Sequence, residues 1–308
     1  MVTRADGRTV VVTGATSGIG KVTALALARG GFDVFATARS AQKGAALTEE
    51  AARSGLKLRT VVCDVADERQ TAGAFEEVAA ATGGGPWAVV NNAGYAQPGT
   101  VEDVPQDQAL RQLDVNLLAP VRIAKLVLPG MRKRGGGRIV NMSSFGGLIS
   151  TPYLGWYSAS KFALEAVSDA LRLEVAQFGV RVVLIEPGGY ASGIWQRGVD
   201  ALPPPEGSAY AHLYGLADGM LAYARGLPGP EPVARAVRQA LTSRRPRARY
   251  LVGGDAKVGT LMETVLPAAA MDYVKSVRYG LHTPRSRASR IGAGLVSRLT
   301  TARSSAPS

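Results

Sequence analysis

The side chains best suited to chemistry lie in Tyr157-Ser158-Ala159-Ser160-Lys161, with Ser143-Ser144 shortly before them. Tyr157 and Lys161 are four residues apart, so a helix stacks them on one face. A phenol with its ordinary pKa of about 10 is a poor acid–base catalyst near neutral pH. An ammonium one turn away favours the phenolate and is expected to lower that pKa. A phenol so tuned can give a proton to a ketone oxygen or take one from an alcohol. A Tyr–Lys pair at this spacing is also an ordinary helix-surface contact, so the elements that position it must decide.

The first of those elements is Thr9-Val10-Val11-Val12-Thr13, a β-branched run that ends in Gly14-Ala15-Thr16-Ser17-Gly18-Ile19-Gly20. An amphipathic pattern follows, with Val22, Leu25 and Ala26 at helical spacing. A strand that feeds a helix through a glycine-rich turn is a phosphate-binding device: the backbone can approach the ligand, and the free N–H groups face its charge. Such turns are common, but this one opens a βαβ unit at the first strand, which points to a dinucleotide. The second strand, 33–37, ends at Ala38-Arg39. An acid near this position holds the ribose hydroxyls of NAD, whereas an Arg accommodates a 2′-phosphate. Ala38 followed by Arg39, with Lys43 one turn on, therefore favours NADP(H) over NAD(H).

Further along, helices are expected over 40–54 and 69–82, with strands over 57–63, 87–90, 137–142 and 180–185. Asn116 lies within a helical stretch, where its amide competes for backbone groups. Beyond position 192, Ile194-Trp195 and an apolar stripe over 208–225 suggest a lid helix, and ordinary core packing would account for the same stripe. Pro203-Pro204-Pro205 reads as a rigid piece of that loop, 231–242 and 255–266 as helices, and 249–253 as a last strand.

Composition bounds the alternatives. Hydrophobic residues at 46% and charged residues at 19% suit a globular chain with a sizeable core. The one cysteine, Cys63, cannot form an internal disulfide and sits at a strand end, which suggests inert packing in a reducing, cytoplasmic setting. One cysteine and two histidines leave little for a transition-metal site. No apolar run approaches a membrane span, and no apolar stretch precedes Thr9, so neither a span nor a secretory signal is expected. The net charge of +12 raises the question of nucleic acid, but much of it lies in 244–249 and in a tail that has no aromatic residue after Tyr279. A solvated basic tail over 282–308, expected to be disordered, is the plainer reading, and no nucleic-acid partner is expected.

These motifs resemble those of the classical short-chain dehydrogenase/reductase family over residues 8 to about 192, with the later segments closest to its hydroxysteroid and retinol dehydrogenase-like branch. The resemblance implies one α/β domain over 1–281, a Rossmann-type doubly wound parallel sheet with helices on both faces and a substrate lid at about 193–227. It also implies a cofactor site built from Thr13, Gly14, Ser17, Gly18, Ile19, Gly20, Arg39, Asp64, Val65, Asn91, Ala93, Gly94, Tyr157, Lys161, Pro187, Gly188 and Ser192. Ser192 stands where the family usually has threonine, keeping the hydroxyl and losing a methyl. Ser144, thirteen residues before Tyr157, matches the catalytic serine in preference to Ser143, which would point to the cofactor side or into the structure. Asn116 would distort its helix and support a water relay to Lys161. The implied activity is interconversion of a small apolar ketone or aldehyde and its alcohol. A homodimer or homotetramer, paired through the helices near Asn116 and Tyr157, is expected on the same ground. A cofactor-binding sensor on this fold should lack a member of the set, and none is missing; a dehydratase or epimerase usually has different glycine spacing.

Overall fold

A computed structural model describes residues 8–202, 206–214 and 217–281. The triple proline 203–205 and the basic tail 282–308 lie outside the described residues. Seven strands, β1 (Thr9–Val12), β2 (Asp33–Ala38), β3 (Arg59–Val62), β4 (Ala88–Asn91), β5 (Gly137–Met142), β6 (Val180–Pro187) and β7 (Arg249–Val252), form one sheet in the order β3-β2-β1-β4-β5-β6-β7. All six pairings are parallel.

Strand residues alternate between two buried faces. Val10, Val12, Val34 and Ala36 pack with Leu27, Leu47, Val233, Val237 and Leu241 on one side. Val11, Phe35, Val61, Val89 and Ile139 pack with Phe75, Val78, Ile123, Val127 and Met131 on the other. Helices cover both faces, which is why the strands read as continuous apolar runs. The helices on the first face are α1 (Gly18–Arg29), α2 (Ala41–Arg53) and, later in the chain, residues 231–242. α3 (Glu68–Thr82) covers the second face; it starts where Asp67 accepts from the Arg69 and Gln70 N–H groups and stops at left-handed Gly83. Cys63 is buried beside Thr71, and burial pushes its thiol up, in keeping with packing rather than reactivity.

Between α4 (Gln106–Leu113) and α5 (Ala119–Lys133) the backbone passes through a π-helical segment, Asp114–Leu118, centred on Asn116. α6 (Gly155–Val175) carries Tyr157 and Lys161. After the 187–192 turn comes α7 (Ile194–Asp200), and the stripe expected over 208–225 is helical over α8 (Ala211–Tyr214) and α9 (Ala217–Arg225), with 215 and 216 outside the described residues. α10 (Glu231–Thr242) and α11 (Gly254–Val265) lie where the apolar pattern places them, and α12 (Ala268–Arg278) is an element the pattern did not signal. Among the described residues, no helix is long and apolar enough to cross a membrane, and no group of histidine, cysteine and carboxylate side chains could hold a metal ion.

Candidate active site

The strand order reverses between β1 and β4, and the carboxyl ends of β5 and β6 continue the same sheet edge, the side on which open α/β sheets bind ligands. Gly14 and Gly18 have φ of +62° and +52°, a region that excludes most side chains. A Cβ on Gly14 would lie 2.9 Å from the Ala93 Cα, and one on Gly20 would overlap the Gly14 carbonyl and the Asn92 amide. Thr13 ties this turn to the end of β4: its hydroxyl accepts from the N–H groups of Asn92 (3.0 Å) and Ala93 (2.9 Å). Ser17 caps α1 by position without a side-chain cap bond, and the first turn holds no acid, so the N–H groups there suit an anionic ligand. Ile19 packs against the core behind the turn.

Ala38 is buried and Arg39 is exposed at the end of β2. The Asp64 carboxylate accepts from the Ala66 N–H, and Val65 is buried where Thr13, Asn91 and Ala93 also converge. The Asn91 amide points into the sheet, donating to Asn141 Oδ1 (2.8 Å), and Asn141 in turn donates to Ser168 (2.8 Å). Asn91 therefore holds strands and helix together. Its neighbour Asn92, which sequence reasoning did not single out, carries the turn: its amide donates to the carbonyls of Thr13 (2.9 Å) and Gly14 (3.2 Å). The adjacent asparagine pair was the available signal.

Pro187 ends β6, and the next residues fold back over the glycine turn, so that a Cβ on Gly18 would lie 3.2 Å from the Ser192 Cβ. Asp255, at the start of α11, braces this second turn by accepting from the Gly189 N–H (2.6 Å). Gly188 has no room for a side chain because Asp255 fills that space. Asp255 lies 66 residues away in sequence, and no local pattern announces it; the Gly188-Gly189 pair is the only hint.

Ser144, Tyr157, Lys161 and Asn116 come together at the carboxyl end of β5. A Cβ on Gly146 would lie 3.0 Å from the Tyr157 ring and 3.4 Å from Ser144 Oγ. Ser144 Oγ accepts from the Gly146 N–H (3.0 Å), and the Tyr157 ring packs against the same glycine. Lys161 is buried and donates to the Met142 carbonyl (2.9 Å), with Nζ 5.8 Å from the centroid of the Tyr157 ring. The Asn116 amide donates to Tyr95 O (3.0 Å) and Ser160 Oγ (3.1 Å) and accepts from the Tyr95 N–H (3.1 Å). A Cβ on Gly94 would lie 3.1 Å from Asn116 Oδ1 and 3.7 Å from Lys161 Nζ, so these three residues adjoin. Ser143 is buried and faces inward beside Gly147.

One expectation is corrected. Lys161 does not lower the Tyr157 pKa within the protein's own groups: burial pushes the phenol up, and the Ser144 hydrogen bond only opposes this. Burial also brings Lys161 down to about 8, against the pull of Glu165. Helical spacing brings the pair together, and burial is the leading influence on the pKa of each.

Two aromatic pairs lie in the segments before α6 and after the 187–192 turn. Tyr153, at φ +67°, lies 6.0 Å from the Tyr279 ring, and Trp195 meets Tyr223 edge-on at 5.9 Å. Asp103 ties the 208–214 segment to the loop before α4, accepting from Thr100 (2.7 Å), Ser208 (2.8 Å) and Tyr214 (2.6 Å).

A parallel sheet with a glycine turn at its switch point and a Ser–Tyr–Lys cluster opposite defines an oxidoreductase of the short-chain type. Residues 8–201 match the short chain dehydrogenase family, and the chain belongs to it. It is 35% identical over 277 residues to the uncharacterized oxidoreductase YusZ of Bacillus subtilis, covering 86% of this chain and 95% of that one. It is 34% identical to the NADPH-dependent 3-dehydrocapnine reductase of Ornithobacterium rhinotracheale (80% and 88% covered) and 33% identical to mouse retinol dehydrogenase 5 (86% and 86%). A short-chain dehydrogenase from Streptomyces avermitilis superposes with a TM-score of 0.72 at 30% identity, covering 98% of this chain and 99% of that one.

Proposed function

We propose that this oxidoreductase interconverts an apolar ketone or aldehyde and its alcohol, with NADP(H) preferred and NAD(H) the weaker alternative. The observation that carries the reading is the convergence of Ser144, Tyr157, Lys161 and Asn116 at the carboxyl end of β5, on the sheet edge that also carries the glycine turn and the 187–192 turn. The glycine cradle, the open N-terminus of α1 and the bare Ala38–Arg39 strand end fit the pyrophosphate and 2′-phosphate of NADP(H). The preference also has support from the NADPH-dependent relative.

When bound, the cofactor supplies or accepts the hydride. In reduction, Ser144 donates a hydrogen bond to the substrate oxygen and Tyr157 supplies the proton. A phenol held above its ordinary pKa is fully protonated at neutral pH, the form a proton donor needs. Lys161 holds the nicotinamide ribose and offers a positive charge as the phenolate forms. Asn116 and the π-helical turn around it lead the replacement proton toward Lys161. Oxidation uses the same groups in reverse. Ser192 and the Gly188 turn, braced by Asp255, hold the nicotinamide carboxamide.

Tyr153, Tyr279, Trp195 and Tyr223 favour an apolar substrate, with residues 193–227 as the lid. Leu118, Leu126, Phe162, Val167 and Leu173 are exposed on the segments near Asn116 and on α6, which suits pairing into a dimer or tetramer. The test is turnover of a panel of apolar ketones, aldehydes and secondary alcohols with NADPH and NADH in parallel. Turnover faster with NADPH supports the reading; no turnover with any member by either cofactor refutes it.

A further inference from the structure

Behind the Tyr157–Lys161 pair lies a buried group of charges that the chemistry above does not use. Glu165 is one turn beyond Lys161 on α6, and Glu186 is the penultimate residue of β6, next to Pro187. Their side chains are only 8% and 3% exposed. Both reach the same donor on β7: Arg249 Nε is 3.0 Å from Glu165 Oε2 and 3.2 Å from Glu186 Oε1. The Glu186 contact is off the line of a hydrogen bond, leaving that oxygen without a partner. Glu165 Oε1 and Ser143 Oγ are likewise buried without an aligned partner. Arg249 commits Nη2 to Asp169 (2.6 Å), whose other oxygen takes Arg172 (2.6 Å).

Three carboxylates thus face two guanidiniums, and two of the carboxylates compete for one N–H. Two adjoining buried carboxylates are costly when both are ionised, and a proton shared between them removes that cost. We infer that Glu165 and Glu186 form a buried acid pair holding one proton between them, and that this pair positions and maintains the charge of Lys161 from behind. The inference rests on the reading of Lys161 as the cation of the active site.

The groups facing the pair support it. Lys161 and Asp169 lie on the same helix, Ser143 at the end of β5, and Arg249 on β7. A Cβ on Gly147 would lie 2.8 Å from Ser143 Oγ, 3.2 Å from the Lys161 carbonyl and 3.3 Å from Glu165 Cγ, so the floor between catalytic helix and acid pair is closed. On its outer side Glu186 walls a cavity of about 460 Å³ that it shares with Arg235, Arg247, Arg249 and Lys257. Arg235, Arg247 and Lys257 are exposed, which gives the pair a route for proton exchange with solvent. Burial and the neighbouring Glu165 raise Glu186 to about 7, while Glu165 opposes the fall of Lys161 to about 8. Glu165 thus bears on the titration of both Glu186 and Lys161, so the three groups titrate as a coupled set.

The test combines infrared spectroscopy with the pH profile of carbonyl reduction in full-length protein. The wild type is expected to show a protonated-carboxyl C=O band that disappears as pH rises through about 7. Both E165Q and E186Q are expected to lose it, since either carboxylate left alone with Arg249 ionises. E165Q removes the negative charge beside Lys161 and should move the alkaline limb to lower pH by about one unit. E186Q leaves that charge in place and should not move the limb downward. Absence of the band, its survival in both variants, or an equal shift of the limb in both would overturn the inference. If the wild type reduces no carbonyl, the proposed function falls while the band still decides the acid pair. If E165Q does not fold, E186Q decides: a persisting band or a lowered limb overturns the pair.

Discussion

Gly18→Ala tests the cofactor cradle with a single methyl group. Gly18 has φ +52°, where an L-residue costs about 1–2 kcal/mol. The added Cβ would lie 3.2 Å from the Ser192 Cβ, closer than an ordinary contact, so the two turns must separate by a few tenths of an ångström. The strain is relieved when the glycine turn backs away from the 187–192 turn, and cofactor binding must then restore the original arrangement. At about 1.4 kcal/mol per tenfold, the loss is about 5- to 30-fold in NADPH affinity. Direct titration of NADPH by nicotinamide fluorescence or calorimetry measures it. Gly73→Ala is the matched control: Gly73 lies within α3, and nothing comes within 4 Å of an added Cβ. That change should leave NADPH affinity alone and stabilise the fold by up to about 1 kcal/mol. A folded Gly18→Ala protein that binds NADPH as tightly as wild type would refute the placement of the cofactor on this turn.

Arg39→Asp should exchange the cofactor preference, weakening NADPH by tenfold or more and strengthening NADH, read as a ratio of dissociation constants. Asp255→Ala removes the acceptor for the Gly189 N–H and should weaken cofactor binding with little change in the proton-transfer limb of the pH profile. Asn92→Ala leaves two turn carbonyls without their donor and should cost about 1–3 kcal/mol of stability, measured by denaturant titration. Stability should also depend on Glu186. Its folded pKa of about 7 exceeds the unfolded value of 4.5, so the native state binds more protons between them and stability falls as pH rises through that window. Lys161 acts in the opposite sense: its folded value of about 8 lies below 10.5, so its contribution rises with pH across that higher window. Glu186→Gln should flatten the lower slope, seen by urea melts across pH.

The sheet was legible because its strands are buried on both faces and therefore stand out as β-branched runs between glycine and polar punctuation. The Asn116 distortion was legible because an asparagine in a helix must find partners, and Tyr95 and Ser160 supply them. The choice of Ser144 over Ser143 came from the family resemblance, since two adjacent serines at a strand end are alike in the sequence itself. What escaped were contacts between distant segments. Asp255 reaches the Gly188 turn only after β7 has joined the sheet, and Glu186 meets Glu165 only because β6 lies beside α6. The phenol's pKa was misread because helical spacing reports which groups are neighbours and says nothing of how much water they lose. α12 followed Pro267 without a motif to mark it.

The central claim is that Tyr157 is the proton donor beside a bound nicotinamide. Tyr157→Phe removes one oxygen from a residue packed against Gly146 and leaves the cradle untouched. With NADPH bound at wild-type affinity, a rapid-mixing measurement of its oxidation by an apolar ketone should show turnover reduced by about 10²- to 10⁴-fold. Undiminished oxidation by the folded, NADPH-saturated variant would contradict the account.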